Sequence, residues 1–302
     1  VSLQLGRALL GPVAERVARA ERVLVVGDGP LHLIPFAALG DPGSTRFRYL
    51  VEARPVHMAA SATVFAELKK GRSPRRDTRL VAFGDPDYAP ATASASRPGA
   101  RLRSAQERGL DLRALPASRE EVEGLTRLYP GASRAYVGRE ATEERAKGVG
   151  ADASLLHFAC HGFADERSPL DSGLALSVPG AWREGHDNGL LQAWEVFEQV
   201  RIDADLVTLS ACGTALGKEV SGEGILGLTR AFQYAGARSV LASLWAVNDD
   251  STADLMRRFY GHLKRGRSKD HALRAAQLEL IRGGAFAHPG RWAAFTLIGD
   301  WR

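Results

Sequence analysis

A chain of 302 residues with 45% hydrophobic and 25% charged residues has the balance of a folded globular protein, which excludes disordered and fibrous classes and allows one large α/β domain or two coupled lobes. The formal net charge is +5, but Lys and Arg are scattered among 35 acids without a basic run flanked by aromatics, so direct nucleic-acid binding is not expected. No stretch approaches ~18 consecutive apolar residues and the first residues lack a signal-peptide layout, which points to a cytoplasmic protein that binds no membrane; Val1 fits the cut edge of a longer polypeptide.

In chain order, Leu9, Leu10, Val13 and Val17 share one face of a first predicted helix, and Arg22–Gly27 follows as a continuous apolar run of the buried-strand kind. Asp28, Gly29 and Pro30 break that run, and Leu31–Leu39, with Pro35 inside, turns the chain back over the sheet. Val64, Phe65 and Leu68 give a helix over Ser61–Lys70 its apolar face, and Arg79–Gly84 repeats the buried-strand pattern, ended by Asp85, Pro86 and Asp87. From Ala89 to Leu115 the composition shifts to Ala, Ser, Pro, Gly and Arg, which predicts a linker or mobile loop, and its arginines make it a candidate for autoprocessing. Ser118 and Glu121 are spaced as a capping box at the start of the next helix, whose buried stripe is Val122, Leu125 and Leu128. Strands are predicted at Ala135–Val137, Ser154–Ala159, Gly173–Ser177, Asp205–Ser210 and Ser239–Trp245. Helices are predicted at Glu223–Tyr234, Ser251–Lys264 and Asp270–Arg282, with Ala294–Ile298 closing the sheet. The alternation predicts an α/β fold with a mostly parallel central sheet covered on both faces.

Two of these strands end in a reactive side chain followed at once by glycine, His161 with Gly162 and Cys212 with Gly213. Carboxyl ends of neighbouring parallel strands line one crevice, so the two motifs are expected to face each other. A thiol becomes a useful nucleophile when an imidazole takes its proton, which makes Cys212 the candidate nucleophile and His161 its base. The N–H groups of Gly162 and Cys212 are candidates for an oxyanion hole, because a residue without Cβ lets backbone donors approach the developing charge. His161 precedes Cys212 by 51 residues, in agreement with the caspase order and separation. Cys160 alternates away from His161 and His157 alternates inward, so both read as core. His32, His57, His186, His262, His271 and His288 have no partners at metal spacing; with two cysteines in all, neither a disulfide scaffold, a metal site nor a cofactor is expected.

Residues His157–Gly162, Ser210–Thr214, Gly222–Leu228, Ala235–Ala237, Ser243–Val247 with Asp249, and Trp292–Asp300 resemble the CHAT family, caspase-like domains commonly fused to tetratricopeptide repeats and related to separase. Upstream, Ile34–Leu39, Phe83–Tyr88, Leu115 and Pro116 with Glu120 and Glu121, and Ala141 with Thr142 extend the resemblance over nearly the whole chain. It implies a caspase-like α/β/α sandwich, a His161–Cys212 dyad, and endopeptidase activity through a thioester acyl-enzyme. It also implies an amino-terminal lobe, 1–116, that is a decayed non-catalytic copy packed on a catalytic lobe, 117–302. A specific protein substrate, a role in bacterial defence or cell-death signalling, and a tetratricopeptide-repeat or other sensor domain as partner in cis or trans follow from the same resemblance.

Specificity is expected from the walls beside Cys212, for which Ser243, Trp245 and the segment on to Asp254 are candidates. Asp249 and Asp250 are placed to pair with a basic residue before the scissile bond, or else to cap the helix that follows. The carboxylate that reads arginine in separase-like relatives falls near Ala253 here, which cannot do that work. Glu219 and Glu223, with Ser221 and Gly222, suit a pocket wall and a surface loop equally, and Asp165 and Asp171 are candidates to orient His161. Two rival functions remain open: a catalytically silent caspase-fold module that binds partners, and an acyl-transferring or small-amide hydrolase that shares the thiolate.

Overall fold

The computed structural model describes residues 1–70, 78–88, 112–177, 187–210, 212–216, 223–245, 247 and 249–302, with main chain alone at 212–216 and 249. The first expected helix is two, α1 (Ser2–Leu10) and α2 (Ala14–Arg19), parted by a 3-10 turn at Gly11–Val13 because Pro12 has no N–H to continue an α-helix. β1 (Val23–Val25), α3 (Leu50–Ala53), β2 (Val56–Met58) and α4 (Ala62–Lys70) follow, the last with Ser61 Oγ accepting the Val64 N–H at 3.1 Å as an N-cap. Next come β3 (Leu80–Pro86), α5 (Pro116–Leu128), β4 (Ser133–Gly138), α6 (Glu143–Lys147), β5 (Leu155–Ala159), β6 (His161–Asp165), β7 (Gly173–Ala175) and β8 (Leu190–Gln192). The remainder is α7 (Ala193–Gln199), β9 (Leu206–Leu209), β10 (Cys212–Leu216), α8 (Glu223–Ala235), β11 (Ser239–Ser243), α9 (Asp249–Lys264), α10 (Lys269–Gly283), α11 (Pro289–Trp292) and β12 (Phe295–Gly299).

Eight strands form one sheet in the order β1-β2-β12-β11-β9-β5-β3-β4. The block β4, β3, β5, β9 and β11 is parallel throughout; β12 pairs antiparallel with β11, and β2 and β1 follow β12 in parallel. β1, expected to be buried, is a half-buried edge strand, and β12, expected to close the sheet, lies inside it between β11 and β2. Residue 116 opens α5, and β3 before it is flanked by β5 and β4.

Strand alternation sorts the core to two faces. Leu155, Ala159, Leu206 and Leu241 pack with Val122 and Leu125 of α5, Phe259 of α9 and Leu273 of α10. Leu156, Phe158, Val207 and Leu209 pack with Val196 of α7 and Leu228 and Phe232 of α8. Each such side chain contributes roughly 1.5–3 kcal/mol when fully buried, so helices are required on both faces and the result is a three-layer α/β/α sandwich.

A smaller sheet, β10-β6-β7-β8, sits at the carboxyl end of the parallel block. β5 passes into β6 with Cys160 alone between them, and β9 passes into β10 across two residues. The strands expected to stop at His161 and Cys212 therefore do not stop: each site residue is the first residue of a strand in the second sheet. The expected capping box is also absent. Pro116 opens α5, Ser118 lies inside its first turn, accepting the Asp85 N–H at 2.7 Å and donating to the Leu115 carbonyl at 2.7 Å, and Glu121 turns into the core. Among the described residues, no helix is long and apolar enough to cross a membrane.

Candidate active site

The site begins at the end of β3. Its pairing with β4 shifts register between Gly84 and Pro86, and Asp85 between them adopts a left-handed conformation at φ 45°. Aspartate tolerates that region, and here its N–H is taken by Ser118 Oγ and its carboxylate by Arg119 Nε at 2.9 Å. The bulge ends β3 and carries Tyr88 across the start of β6. The Tyr88 hydroxyl accepts the His161 N–H at 3.2 Å and donates to the Ala175 carbonyl at 3.3 Å, bridging two residues that are register partners of β6 and β7. Its ring tilts against the imidazole with centroids 5.3 Å apart. Burial pushes the phenol well above its ordinary value, so the hydroxyl keeps its proton.

His161 is 8% exposed, and its Nε2 lies 2.7 Å from the carbonyl oxygen of Arg113. A carbonyl only accepts, so Nε2 carries the hydrogen and Nδ1 of the neutral ring is left as the acceptor. Cys212 opens β10 directly opposite: it is the register partner of His161, and Gly213 is the partner of Gly162. Adjacent strands lie roughly 4.8 Å apart, so the main chains at 161 and 212 are immediate neighbours.

The remaining expected residues distribute unevenly. Ser243 ends β11 and, with Gly162, Leu174, Leu209, Ile225 and Leu228, lines an apolar cavity of about 30 Å³. Glu223 opens α8, its N–H donating to Glu166 Oε2 at 3.2 Å just beyond β6, while its carboxylate faces Arg230 at 3.4 Å. Trp245 is anchored in the core on the α9 and α10 side, Nε1 donating to the Gly290 carbonyl at 3.4 Å. Asp249 and the exposed Asp250 occupy the first turn of α9. Glu219, Ser221, Gly222 and His186, and the part of the expected loop from 89 to 111, lie outside the described residues. Asp165 Oδ1 accepts the N–H groups of Arg167 and Ser168 at 3.0 Å each, Asp171 Oδ1 accepts from Gln192 Nε2 at 3.3 Å, and Nε2 of the His161 ring bonds the Arg113 carbonyl. Cys160 packs in the core on the α7 and α8 face, as alternation requires, and His157 is buried on the opposite face with polar partners. Among the described residues, no three His, Cys, Asp or Glu side chains are grouped to hold a metal.

Tyr88 and Arg113 escaped the sequence reading as site residues. Tyr88 follows a strand-breaking Asp-Pro-Asp run, which marks a turn without saying what it covers, and a backbone carbonyl leaves no side-chain signal at all.

The CHAT domain family model matches residues 1–300. Tetratricopeptide repeat protein 28 of Homo sapiens is 29% identical over 318 residues, covering 94% of this chain and 12% of that protein. Its Mus musculus counterpart is 29% identical over 313 residues with the same coverage, so the chain spans about an eighth of the length of the curated relatives it matches. Gingipain R, an Arg-specific cysteine proteinase, superposes with a TM-score of 0.57 at 12% identity, over 98% of this chain and 67% of that one. What is shared with it is the caspase-like α/β/α fold.

Proposed function

Because this chain belongs to the CHAT family, we propose that it is a cysteine endopeptidase with Cys212 as nucleophile and His161 as general base. The observation that carries this reading is the register of β6 and β10, which sets 161 and 212 opposite each other at the starts of adjacent parallel strands. With Nε2–H held on the Arg113 carbonyl, Nδ1 of His161 takes the thiol proton. The thiolate attacks the scissile carbonyl, and the oxyanion of the tetrahedral intermediate accepts from the N–H groups of Gly162 and Cys212. Collapse breaks the C–N bond, the imidazolium protonates the leaving amine, and water activated by the same imidazole hydrolyses the thioester.

Ser243 and Glu223 wall the substrate groove in this reading, Trp245 being held on the α9 and α10 side, and Asp249 and Asp250 attract a cationic residue before the scissile bond. Residues 1–116 hold no cysteine and supply no member of the dyad, and are the non-catalytic part of the chain in that sense alone, since Tyr88 and the Arg113 carbonyl hold His161. The named relatives extend far beyond the matched region, which supports a tetratricopeptide-repeat or other sensor domain, in cis or trans, that governs cleavage of a specific protein substrate.

Cleavage-site profiling on a proteome-derived peptide library tests the reading. Wild type is expected to cut peptides that neither Cys212→Ala nor His161→Ala cuts. Identical cleavage by all three, or none by any with equal labelling of wild type and His161→Ala by a peptide acyloxymethylketone, sinks it in favour of a silent binding module.

A further inference from the structure

We propose that the hydroxyl of Tyr260 is a positioning group for the dyad, clipping together the two strands that carry it; the proposal rests on the cysteine-peptidase reading. Four positions before His161 stands His157, and four positions before Cys212 stands Thr208. Both are 0% exposed, and they are register partners across β5 and β9, just as 161 and 212 are partners across β6 and β10. Alternation turns both toward the face covered by α9, since Leu156, Phe158, Val207 and Leu209 beside them pack on the opposite face.

There the Tyr260 oxygen lies 2.8 Å from Thr208 Oγ1 and 3.2 Å from His157 Nδ1, so one hydroxyl touches both strands. Glu121 of α5 closes the far side of the imidazole, its Oε1 2.9 Å from Nε2 in a close polar contact outside hydrogen-bond geometry. The carboxylate places the ring hydrogen on Nε2. Nδ1 of the neutral ring then accepts the Tyr260 O–H, and the Tyr260 oxygen accepts the Thr208 O–H. Tyr260 is itself 0% exposed, so water cannot replace either bond.

An apolar pair at 157 and 208 would pack without the cost of burying polar groups, so packing alone does not explain the chain Thr208–Tyr260–His157–Glu121. What a directed bond adds is a fixed offset between two strands. The last rung of β5 with β9 is Phe158 with Leu209, one residue beyond the clip; β9 ends there, and β5 runs one residue further, Ala159 pairing with Gly84 of β3. Two residues on each strand, 159 and 160 on one and 210 and 211 on the other, then lead to the dyad, too few to absorb a slip. Misplacement by about 1 Å at a reacting centre costs on the order of a hundredfold in rate.

The test is the pH profile of Cys212 alkylation by iodoacetamide on the full chain, read by mass spectrometry of the Cys212 peptide. Tyr260→Phe and Thr208→Val remove the bonds while nearly keeping shape. Each is expected to move the profile toward the ordinary thiol midpoint near ~8.5 and to slow alkylation at pH 6 about tenfold, and the double variant to be no worse than either single one. Tyr129→Phe is the control. It removes a hydroxyl that donates to the Tyr260 carbonyl at 3.2 Å, a bond to the same residue that leaves the Tyr260 hydroxyl and both rings in place, and is expected to lower the melting temperature with the profile unmoved. If Tyr260→Phe does not fold, Thr208→Val decides. Unmoved profiles in the folded clip variants, or an equal shift in Tyr129→Phe, overturn the clip. A wild-type profile indifferent to His161→Ala overturns instead the dyad on which it rests.

Discussion

Tyr88→Phe deletes one oxygen and leaves the ring that packs on His161 in place. The oxygen serves two partners, the His161 N–H at 3.2 Å and the Ala175 carbonyl at 3.3 Å, in residues 8% and 0% exposed. Both partners are left without water when it goes. A neutral hydrogen bond contributes about 1 kcal/mol net, and an orphaned buried group raises the cost to about 1–3 kcal/mol. The long distances and the relief of burying a phenol hydroxyl pull the sum of two such losses back to about 2 kcal/mol. A chain of this size loses roughly 2–4 °C of Tm per kcal/mol, so scanning calorimetry should show a drop of about 6 °C. Because the lost bonds sit on the first rung of β6, part of the loss appears as misplacement of His161. Alkylation of Cys212 at pH 6 is expected to slow about tenfold, equivalent to about 1.4 kcal/mol. A variant with wild-type Tm and an unchanged alkylation profile would refute the claim that this hydroxyl joins β3, β6 and β7.

His57 in β2 is 1% exposed, neither ring nitrogen has a partner, and burial, the largest cause, pushes its pKa down to about 4. Between pH ~6.5 and 4 the unfolded chain takes up a proton that the native chain refuses, so stability is lost as pH falls through that window. His57→Leu should remove the loss, so its advantage over wild type in urea unfolding should be larger at pH 4.5 than at pH 8; parallel curves at the two pH values would count against this. Gly224 lies in the first turn of α8, where an added Cβ would meet Ala164 Cβ at 2.7 Å and Ser172 Oγ at 3.0 Å. Gly224→Ala gains roughly 1 kcal/mol of helix propensity but forces α8 off β6 at a cost of about 1–3 kcal/mol, so a lower Tm and slower Cys212 alkylation are expected, and a stabilised variant would show that the helix can move freely.

Local pattern carried much of the fold. Five of the parallel strands and the four long helices α5, α8, α9 and α10 were legible because continuous apolar runs and apolar stripes at helical period are properties of contiguous residues. The same locality misled at Ser118 and Glu121. Their spacing matches a capping box, yet Ser118 is drawn to the bulge of β3 and Glu121 to His157, partners remote in sequence. β2 and β8, with three residues each, are too short for a periodic signal, and β6 and β10 were read as the tails of the strands before them.

By itself the sequence determined which residues are candidates: a cysteine and a histidine, each after a buried apolar run and before a glycine, in an alternating strand and helix order. Tertiary structure alone decided that 161 and 212 share a rung, that Tyr88 and the Arg113 carbonyl hold the imidazole, and that β12 runs against β11. Register, strand direction and the partner of a backbone oxygen are relations between distant segments, fixed by which faces bury together, and no window of contiguous residues contains them.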